Sequence, residues 1–302
     1  MALIAGPTAS GKSALALQLA VQSGGVIVNA DSAQIYRDLP ILSAAPTAEE
    51  RVRADHRLYG VLDGAQSCSA ADWAAMAKGE IADIHAAGRL PILVGGTGLY
   101  LRTLFDGIAP VPSIDPGVRQ QVRSCPVAQN HEELFRLDPE AAAKLNPADT
   151  TRVARALEVV LSTGKRLAEW QKECEGGIGD QVMLRPLVLL PPRDWLYRRC
   201  DDRFAQMIDA GASAEVETLL ERNLDPALPV MRAIGVREIA AWLEGDLTRD
   251  EAVAAGQQST RRYAKRQYTW FAHQPPEDWP RFRKPLDPAN LAEALALLGP
   301  RD

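Results

Sequence analysis

The feature that most constrains this chain is an eight-residue loop close to its N-terminus. Residues 6–13 read Gly-Pro-Thr-Ala-Ser-Gly-Lys-Ser, which fits the Gly-x-x-x-x-Gly-Lys-Ser pattern of a phosphate-binding loop. The apolar run Ala2–Ala5 precedes the loop, and a helical pattern begins near Lys12. In this context the loop N–H groups and the helix dipole can hold a phosphate. The residues predicted to form the site are Gly6, Pro7, Thr8, Ala9, Ser10, Gly11, Lys12 and Ser13.

Two side chains of this loop have specific expected roles. Lys12 supplies a positive charge to a terminal phosphate, and the Ser13 hydroxyl is expected to bind Mg²⁺. An ATP-hydrolysing enzyme also needs a carboxylate at the end of another strand. Only the apolar run Val26–Val28 is followed by an acid, Asp31, which leaves metal support or general-base catalysis as its possible functions. A third interpretation makes Asp31 the N-cap of a short helical pattern that follows it.

Apolar runs and helical patterns alternate through the first third of the chain. After Val26–Val28, the next apolar run is Pro91–Val94. Between them, Ser69 and Asp72 are placed to cap an alanine-rich helix that reaches about Ala87. Alternating strands and helices are typical of a parallel sheet. The predicted fold class is therefore α/β, with a parallel sheet flanked by helices.

The pattern changes after Ile108, because strand-like runs are absent from there until Met183–Leu190. Gly164 is placed to end the last of three short helical patterns in this stretch. We therefore predict a core formed by 1–112 and 181–302, interrupted by an all-helical insertion at 113–180. The helices predicted in the insertion are Glu132–Leu137, Pro139–Leu145 and Thr150–Leu161, and those after it are Arg193–Gly211, Ala214–Arg222, Ile234–Leu243 and Arg249–Phe271.

Composition limits the possible partners of the chain. Its formal net charge is −5, so any nucleic acid would have to be attracted by a local basic surface. No apolar run approaches the roughly 20 residues of a membrane helix, and the N-terminus lacks a basic region and cleavage site of a signal peptide. A cytoplasmic protein without membrane contact is therefore expected. Cys68, Cys125, Cys174 and Cys200 are too scattered to suggest a zinc site or a disulfide framework.

Seven sequence blocks occur in a characteristic order over nearly the whole chain. They read G-P-T-A-S-G-K-S at 6–13, N-A-D-S-A-Q-I-Y at 29–36, C-S-A-A-D-W at 68–73, V-G-G-T-G-L-Y at 94–100, R-A-L-E-V at 155–159, R-A-I-G-V-R-E-I at 232–239 and K-R-Q-Y-T-W-F at 265–271. Together these blocks resemble those of the tRNA dimethylallyltransferases. The resemblance implies a P-loop kinase-like fold in which the loop holds a diphosphate instead of ATP.

The resemblance also implies a reaction, the transfer of a dimethylallyl group from dimethylallyl diphosphate to N6 of adenosine 37 in tRNA. Lys12, Mg²⁺ and the loop N–H groups would stabilise the charge on the leaving diphosphate. Asp31 would be the general base, and Thr97 would lie at the reaction centre, with ordinary turn chemistry as the alternative for Thr97. Arg203 is expected as a further diphosphate ligand, and Arg199, one turn earlier, competes for this role.

Local basic stretches are the expected tRNA-binding surface. Basic side chains bind phosphates, and interleaved aromatic side chains can stack on unpaired bases. The alternative for each stretch is a solvated helix face without function. The insertion would act as a lid that clamps the anticodon stem, by analogy with the family. The residues expected to contact tRNA are Asp31, Ser32, Ala33, Gln34, Thr97, Arg119, Arg152, Arg155, Arg232, Arg237, Lys265, Arg266, Gln267 and Trp270.

The chain departs from the family pattern at Ala45, Thr151 and Ala272, where lysine, glutamine and arginine are usual. These changes affect the expected grip on tRNA more than the expected chemistry. Three other functions remain open: an adenylate dimethylallyltransferase acting on AMP, a small-molecule kinase using ATP, and a non-catalytic RNA-binding module. A monomer is expected, because the sequence has no coiled-coil heptads and no obvious apolar docking stripe.

Overall fold

The structure is a computed structural model, and it describes residues 1–299. The chain divides into two compact units. We call the first the core unit, which comprises Met1–Leu104 and the chain from Gly179 onwards. The second, the insertion unit, comprises Phe105–Ile178. The prediction from sequence placed the insertion at 113–180.

Within residues 1–299 the core unit contains one sheet of six strands, all parallel, which confirms the predicted α/β fold. The strands are β1 Ala2–Ala5, β2 Val26–Asn29, β3 Asp55–Arg57, β4 Pro91–Gly95, β5 Arg185–Leu189 and β6 Arg281–Phe282. Their order is β3-β2-β4-β1-β5-β6, which places the strand before the phosphate loop inside the sheet. Central parallel strands are covered on both faces, which explains their uninterrupted apolar runs.

Helices connect the strands and form the insertion unit. They are α1 Lys12–Ser23, α2 Ala48–Arg53, α3 Ala70–Ala86, α4 Gly98–Asp106, α5 Pro116–Ser124, α6 Val127–Leu137, α7 Pro139–Lys144, α8 Thr150–Thr163, α9 Leu167–Trp170, α10 Arg193–Asp209, α11 Ala212–Glu221, α12 Val236–Leu243, α13 Arg249–His273 and α14 Leu291–Ala296. Short 3₁₀ turns lie at Gly179–Gln181 and Val230–Arg232. None of the described helices combines the length and the apolar character needed to span a membrane.

The core of the sheet fixes where the phosphate loop begins and ends. Leu15 and Ala16 of α1 are fully buried in the same cluster as Ile4 of β1 and Ile92 of β4. Full burial of a leucine side chain contributes about 1.5–3 kcal/mol. This packing holds the start of α1 next to the end of β1, so that the intervening loop must turn sharply.

Helix ends predicted from single residues are confirmed. At the start of α3, the Ser69 hydroxyl oxygen accepts from the N–H of Asp72 at 3.1 Å, and the Asp72 carboxylate accepts from the N–H of Ser69 at 2.9 Å. At the end of α8, Gly164 has φ 69 and donates its N–H to the Val160 carbonyl oxygen at 2.9 Å. Both arrangements satisfy backbone groups that the helix itself leaves unpaired.

The insertion unit has its own small core, in which Leu134, Val153 and Leu157 are buried. Glu158, in the R-A-L-E-V block, is 1% exposed and accepts a hydrogen bond from Nε of Arg123 at 2.8 Å. This ion pair joins α8 to α5. A carboxylate at this depth needs such a partner, because desolvating it unpaired is unfavourable.

Candidate active site

The phosphate loop has the backbone geometry of an anion nest. Gly6, Ala9 and Gly11 have positive φ values of 149, 61 and 98, and positive φ values interspersed in a short loop are typical of anion nests. A Cβ atom at Gly6 would lie 2.5 Å from the carbonyl oxygen of Leu189. Glycine is therefore required at position 6 for both its φ value and its close approach to β5.

Lys12 is held over this loop and is only half-buried. Its Nζ donates to the carbonyl oxygen of Pro7 at 2.7 Å. Burial lowers the pKa of Lys12 from 10.5 to about 8, against the opposing effect of the Asp31 carboxylate. The positive charge of Lys12 is only partly balanced by Asp31, so binding of an anion next to it would stabilise the charged form.

A cavity of about 390 Å³ opens at the loop, and it is bordered by Lys12, Ser13, Arg199 and Arg203. Arg199 donates from Nε to the carbonyl oxygen of Ala9 at 2.9 Å, and its guanidinium group stacks 4.8 Å from the ring centre of Trp195. Burial lowers the pKa of Arg203, and the neighbouring charge of Arg199 lowers it further. Arg199 thus holds the loop, and the role of Arg203 as a diphosphate ligand stays a prediction.

The residues around this cavity also suit Mg²⁺. Ser13 shares the cavity with two carboxylates, Glu50 and Asp202. Among the described residues, no three His, Cys, Asp or Glu side chains are grouped to hold a metal ion. Mg²⁺ at phosphate sites commonly takes one or two protein ligands and fills its shell with phosphate and water, so a small ligand set is sufficient. Glu50 was not predicted from the sequence, because carboxylates for Mg²⁺ are expected after strands and this residue lies in α2.

A second cavity, of about 320 Å³, lies beside the first and shares Arg203 with it. Asp31 and Arg203 are polar residues on its wall. It brings together several predicted site residues from separate parts of the sequence, namely Asp31, Ser32, Ala33, Arg203, Arg232 and Arg266. Sequence reasoning did not identify its apolar wall, which includes Leu39, Leu42, Phe204, Met207, Val230 and Ile234.

Asp31 is held by a buried asparagine, Asn29, which is 0% exposed. The Asn29 side chain accepts from the N–H of Asp31 at 2.8 Å and donates to the carbonyl oxygens of Asp31 and Leu58, both at 3.0 Å. One Asp31 carboxylate oxygen accepts from the N–H of Ala33 at 3.0 Å and forms a turn. The next helix begins only at Ala48, so the interpretation of Asp31 as a helix N-cap is wrong.

Thr97 connects the ends of two strands. Its Oγ1 accepts from the N–H of Ser32 at 3.0 Å and donates to the Ser32 hydroxyl at 3.3 Å. The N–H of Thr97 donates to the Ala30 carbonyl oxygen at 3.2 Å. Tyr263 lies on the adjacent cavity wall, where burial raises its pKa and an interaction with Thr97 opposes that rise. In the sequence, Tyr263 is distinguished only as an aromatic residue among basic ones.

Gln34 was predicted to contact tRNA, but the structure shows its amide nitrogen bonded within the protein. It donates to the carbonyl oxygens of Ser43 and Ala44 at 3.0 and 2.8 Å. Ala44 has φ 55, a left-handed value that non-glycine residues rarely adopt. Gln34 therefore stabilises a strained loop on the cavity wall, next to the family departure at Ala45.

Gln267 was also predicted to contact tRNA, but its side chain is hydrogen-bonded inside the protein, and the contact stays a prediction. The residue is 6% exposed. Its Oε1 accepts from the N–H of Thr8 at 2.8 Å, and its Nε2 donates to the carbonyl oxygen of Gly96 at 2.9 Å. Trp270, three residues later, is half-buried against Gly98, where a Cβ atom would lie 2.5 Å from the indole ring.

The remaining predicted tRNA contacts are exposed basic side chains. In the core unit they are Arg232, Arg237, Lys265 and Arg266, and in the insertion unit they are Arg119, Arg152 and Arg155. Arg152 is paired with Asp149 at 3.6 Å, and its side chain is 76% exposed. Their contact with tRNA stays a prediction.

A parallel sheet with a phosphate loop after a central strand places this protein in the P-loop class of α/β folds. The family model described as IPP transferase matches residues 34–274. The chain belongs to the IPP transferase family.

The curated relatives support this assignment over the whole chain. The chain is 66% identical to a tRNA dimethylallyltransferase of Sphingopyxis alaskensis over 298 residues, which cover 98% of this chain and 97% of the relative. It is 59% identical to a tRNA dimethylallyltransferase of Erythrobacter litoralis, covering 93% of this chain and 90% of the relative.

Solved structures show the same fold. A tRNA isopentenylpyrophosphate transferase of Bacillus halodurans matches with a TM-score of 0.70 at 32% identity, covering 98% of this chain and 93% of that one. A eukaryotic dimethylallyltransferase, described as acting on tRNA, matches with a TM-score of 0.76 at 31% identity. The match covers 89% of this chain and 69% of that one.

Proposed function

We propose that this chain transfers a dimethylallyl group from dimethylallyl diphosphate to N6 of adenosine 37 in tRNA and releases diphosphate. The observation that carries this proposal is the cavity that combines the Asp31 carboxylate, Arg203 and an apolar wall beside the phosphate loop. The relatives' names support the reaction type and the tRNA substrate.

The phosphate loop and its neighbours would bind the leaving group. The bond between the allylic carbon and the diphosphate oxygen breaks, and negative charge develops on that oxygen. Loop N–H groups, Lys12 and Arg203 would stabilise this charge, which is larger in the transition state than in the substrate. Ser13 would hold Mg²⁺, with Glu50 or Asp202 nearby, and the ion would neutralise further diphosphate charge.

Asp31 would accept the proton that N6 loses as its nitrogen bonds to the allylic carbon. Asn29 hydrogen-bonds both backbone groups of Asp31, and the N–H of Ala33 donates to its carboxylate, so this carboxylate would be oriented before the substrate arrives. Thr97 and Ser32 lie at the same sheet edge and can hydrogen-bond the amine or the leaving oxygen. The electrons of the broken C–O bond remain on diphosphate, so atoms and charge balance.

The apolar wall of the second cavity would enclose the dimethylallyl group. The allylic carbon becomes cationic during transfer, and water would capture it. Phe204, Met207 and Ile234 line this cavity and would exclude water from that carbon. The target adenine must leave its stack to reach this cavity, as bases do in other enzymes that modify them.

We further propose that the exposed arginines of both units grip the anticodon stem-loop, and that the insertion unit clamps it. Their exposure supports this role, since phosphate contacts require accessible cations. A cytoplasmic location and a monomeric state remain part of the proposal.

The test uses purified protein, labelled dimethylallyl diphosphate and either unmodified tRNA or AMP, with ATP absent. Label in tRNA is the expected result. Label in AMP would instead support an adenylate dimethylallyltransferase. Failure with both acceptors, together with ATP consumption in a parallel reaction, would support a kinase. tRNA binding without any transfer would support an RNA-binding module.

A further inference from the structure

Gln267 joins two loops that the proposed chemistry needs close together. Its Oε1 accepts from Thr8 in the phosphate loop, and its Nε2 donates to Gly96, the residue before Thr97. The two loops follow the neighbouring strands β1 and β4. A single buried amide is therefore hydrogen-bonded to both the diphosphate cradle and the loop of the reaction centre.

The space around this amide is tightly filled. A Cβ atom at Gly96 would lie 2.3 Å from Nε2 of Gln267 and 3.0 Å from the carbonyl oxygen of Gly6. The same face of α13 carries Tyr263 and Trp270, four residues before and three residues after Gln267. Trp270 packs against Gly98, the first residue of α4, so this face of the helix contacts both the β4–α4 loop and the start of α4.

We infer that Gln267 is a positioning residue that sets the separation between the diphosphate cradle and Thr97, an inference that rests on the proposed function. Transfer requires the allylic carbon to lie between the leaving oxygen and the attacking nitrogen, with reacting atoms about 3–3.5 Å apart. A shift of about 1 Å between the two loops is enough to lower the rate about 100-fold. Because the N–H of Thr8 donates to Gln267, the N–H groups that would bind the diphosphate are those of later loop residues.

Two substitutions test this role. Gln267→Glu keeps an acceptor for the N–H of Thr8 but places a carboxylate against the Gly96 carbonyl oxygen, and Gln267→Met removes both hydrogen bonds at similar volume. The matched control is Gln257→Met, on the same helix, where Nε2 donates to the carbonyl oxygen of Asp201 at 3.1 Å.

We expect both Gln267 variants to lower kcat at least about tenfold and to weaken binding of inorganic pyrophosphate several-fold, while the Kd for unmodified tRNA stays within about twofold of wild type. The control should match wild type in all three measurements. Calorimetric titration with pyrophosphate reports on the loop even without turnover, so its result remains informative if the wild-type chain transfers no prenyl group.

Three results would overturn the inference. A raised Kd for tRNA with unchanged kcat would restore Gln267 as a tRNA contact. Wild-type kcat and pyrophosphate affinity in both variants would show that the two hydrogen bonds have no functional effect. Loss of the folded state in both variants, detected by circular dichroism, would reduce Gln267 to a structural residue.

Discussion

At the scale of single residues, the candidate site contains positive charges that the protein by itself balances only in part. Lys12 is partly desolvated and bonded only to a neutral carbonyl oxygen in its own loop, and Arg203 is desolvated beside another arginine. The Asp31 carboxylate favours the charged form of both, and Glu50 adds to this effect at Arg203. Such an arrangement binds a polyanion well because the anion supplies the missing compensation.

Replacing the proposed base should separate binding from turnover. Asp31→Ala is expected to bind tRNA with near wild-type affinity and to lower kcat about 100- to 10,000-fold, since general-base catalysis contributes about that much. Prenyl transfer and tRNA filter binding measure the two effects. The control is Asp83→Ala, an exposed acid on α3. Full activity of Asp31→Ala would remove Asp31 as the base.

The depressed pKa of Lys12 predicts a pH-dependent stability. The folded-state pKa of about 8 lies below the usual 10.5, so between these values the unfolded chain binds more protons. The free energy of unfolding should therefore rise with pH from about 8 to 10.5 in the wild type, and Lys12→Met should lack this rise. Urea unfolding at several pH values measures it, with Lys284→Met as the control. A pH-independent difference between wild type and Lys12→Met would contradict the expectation.

At the scale of elements, long apolar runs and capped helices were predictable, and short edge strands were not. β3 spans three residues, reads Asp-His-Arg and is largely exposed, so no local pattern distinguishes it from a loop. β6 has only two residues and exists because Val188 and Leu189 of β5 offer it a partner. The active-site loops depend in turn on α13, which contacts both from a distant part of the sequence.

Two mid-helix glycines give opposite predictions at this scale. Gly79 of α3 has open space where a Cβ would lie, whereas a Cβ at Gly256 of α13 would lie 2.0 Å from the buried ring of Phe204. Gly79→Ala should raise the free energy of unfolding by about 0.5–1 kcal/mol, because alanine has less conformational freedom to lose.

Gly256→Ala should lower the free energy of unfolding by about 1–3 kcal/mol, since Phe204 must shift or α10 and α13 must separate. Urea unfolding measures both variants, and each serves as the control for the other. Because Phe204 also lines the second cavity, Gly256→Ala should reduce prenyl transfer as well. Equal stability of the two variants would show that α10 and α13 are less closely packed than described.

At the scale of the whole molecule, an acidic protein would have to bind a polyanion through local surfaces. The net charge is −5, yet Lys265 and Arg266 are exposed on α13 beside the second cavity. Binding through such a surface releases counterions from the RNA and weakens as salt increases.

Removing two of these charges should flatten the salt dependence. Lys265→Gln with Arg266→Gln is expected to lower the slope of log Kd for tRNA against log salt concentration by about 1.5. A double variant at Lys78 and Lys284, with the same net charge, should keep the wild-type slope. Equal slopes for the two double variants would place the tRNA surface elsewhere.

The amino-acid sequence by itself determined the phosphate loop, the parallel α/β fold and the family, because these depend on contiguous residues. Glycines at fixed spacing, apolar runs and helix caps each involve residues only a few positions apart, so they can be identified from the sequence directly. The sequence also made Asp31 and Thr97, which lie in recognisable blocks after strands, and Arg203, on a helix, candidates for the site.

Only the tertiary structure decided how distant side chains are used. Gln267 lies in a basic block that suggests RNA contact, yet its amide is buried between two loops more than 150 residues away in sequence. Glu50 and the apolar wall also line the two cavities only because separate elements pack together. Side-chain direction on a helix depends on what the helix packs against, and that information is distributed over the whole chain.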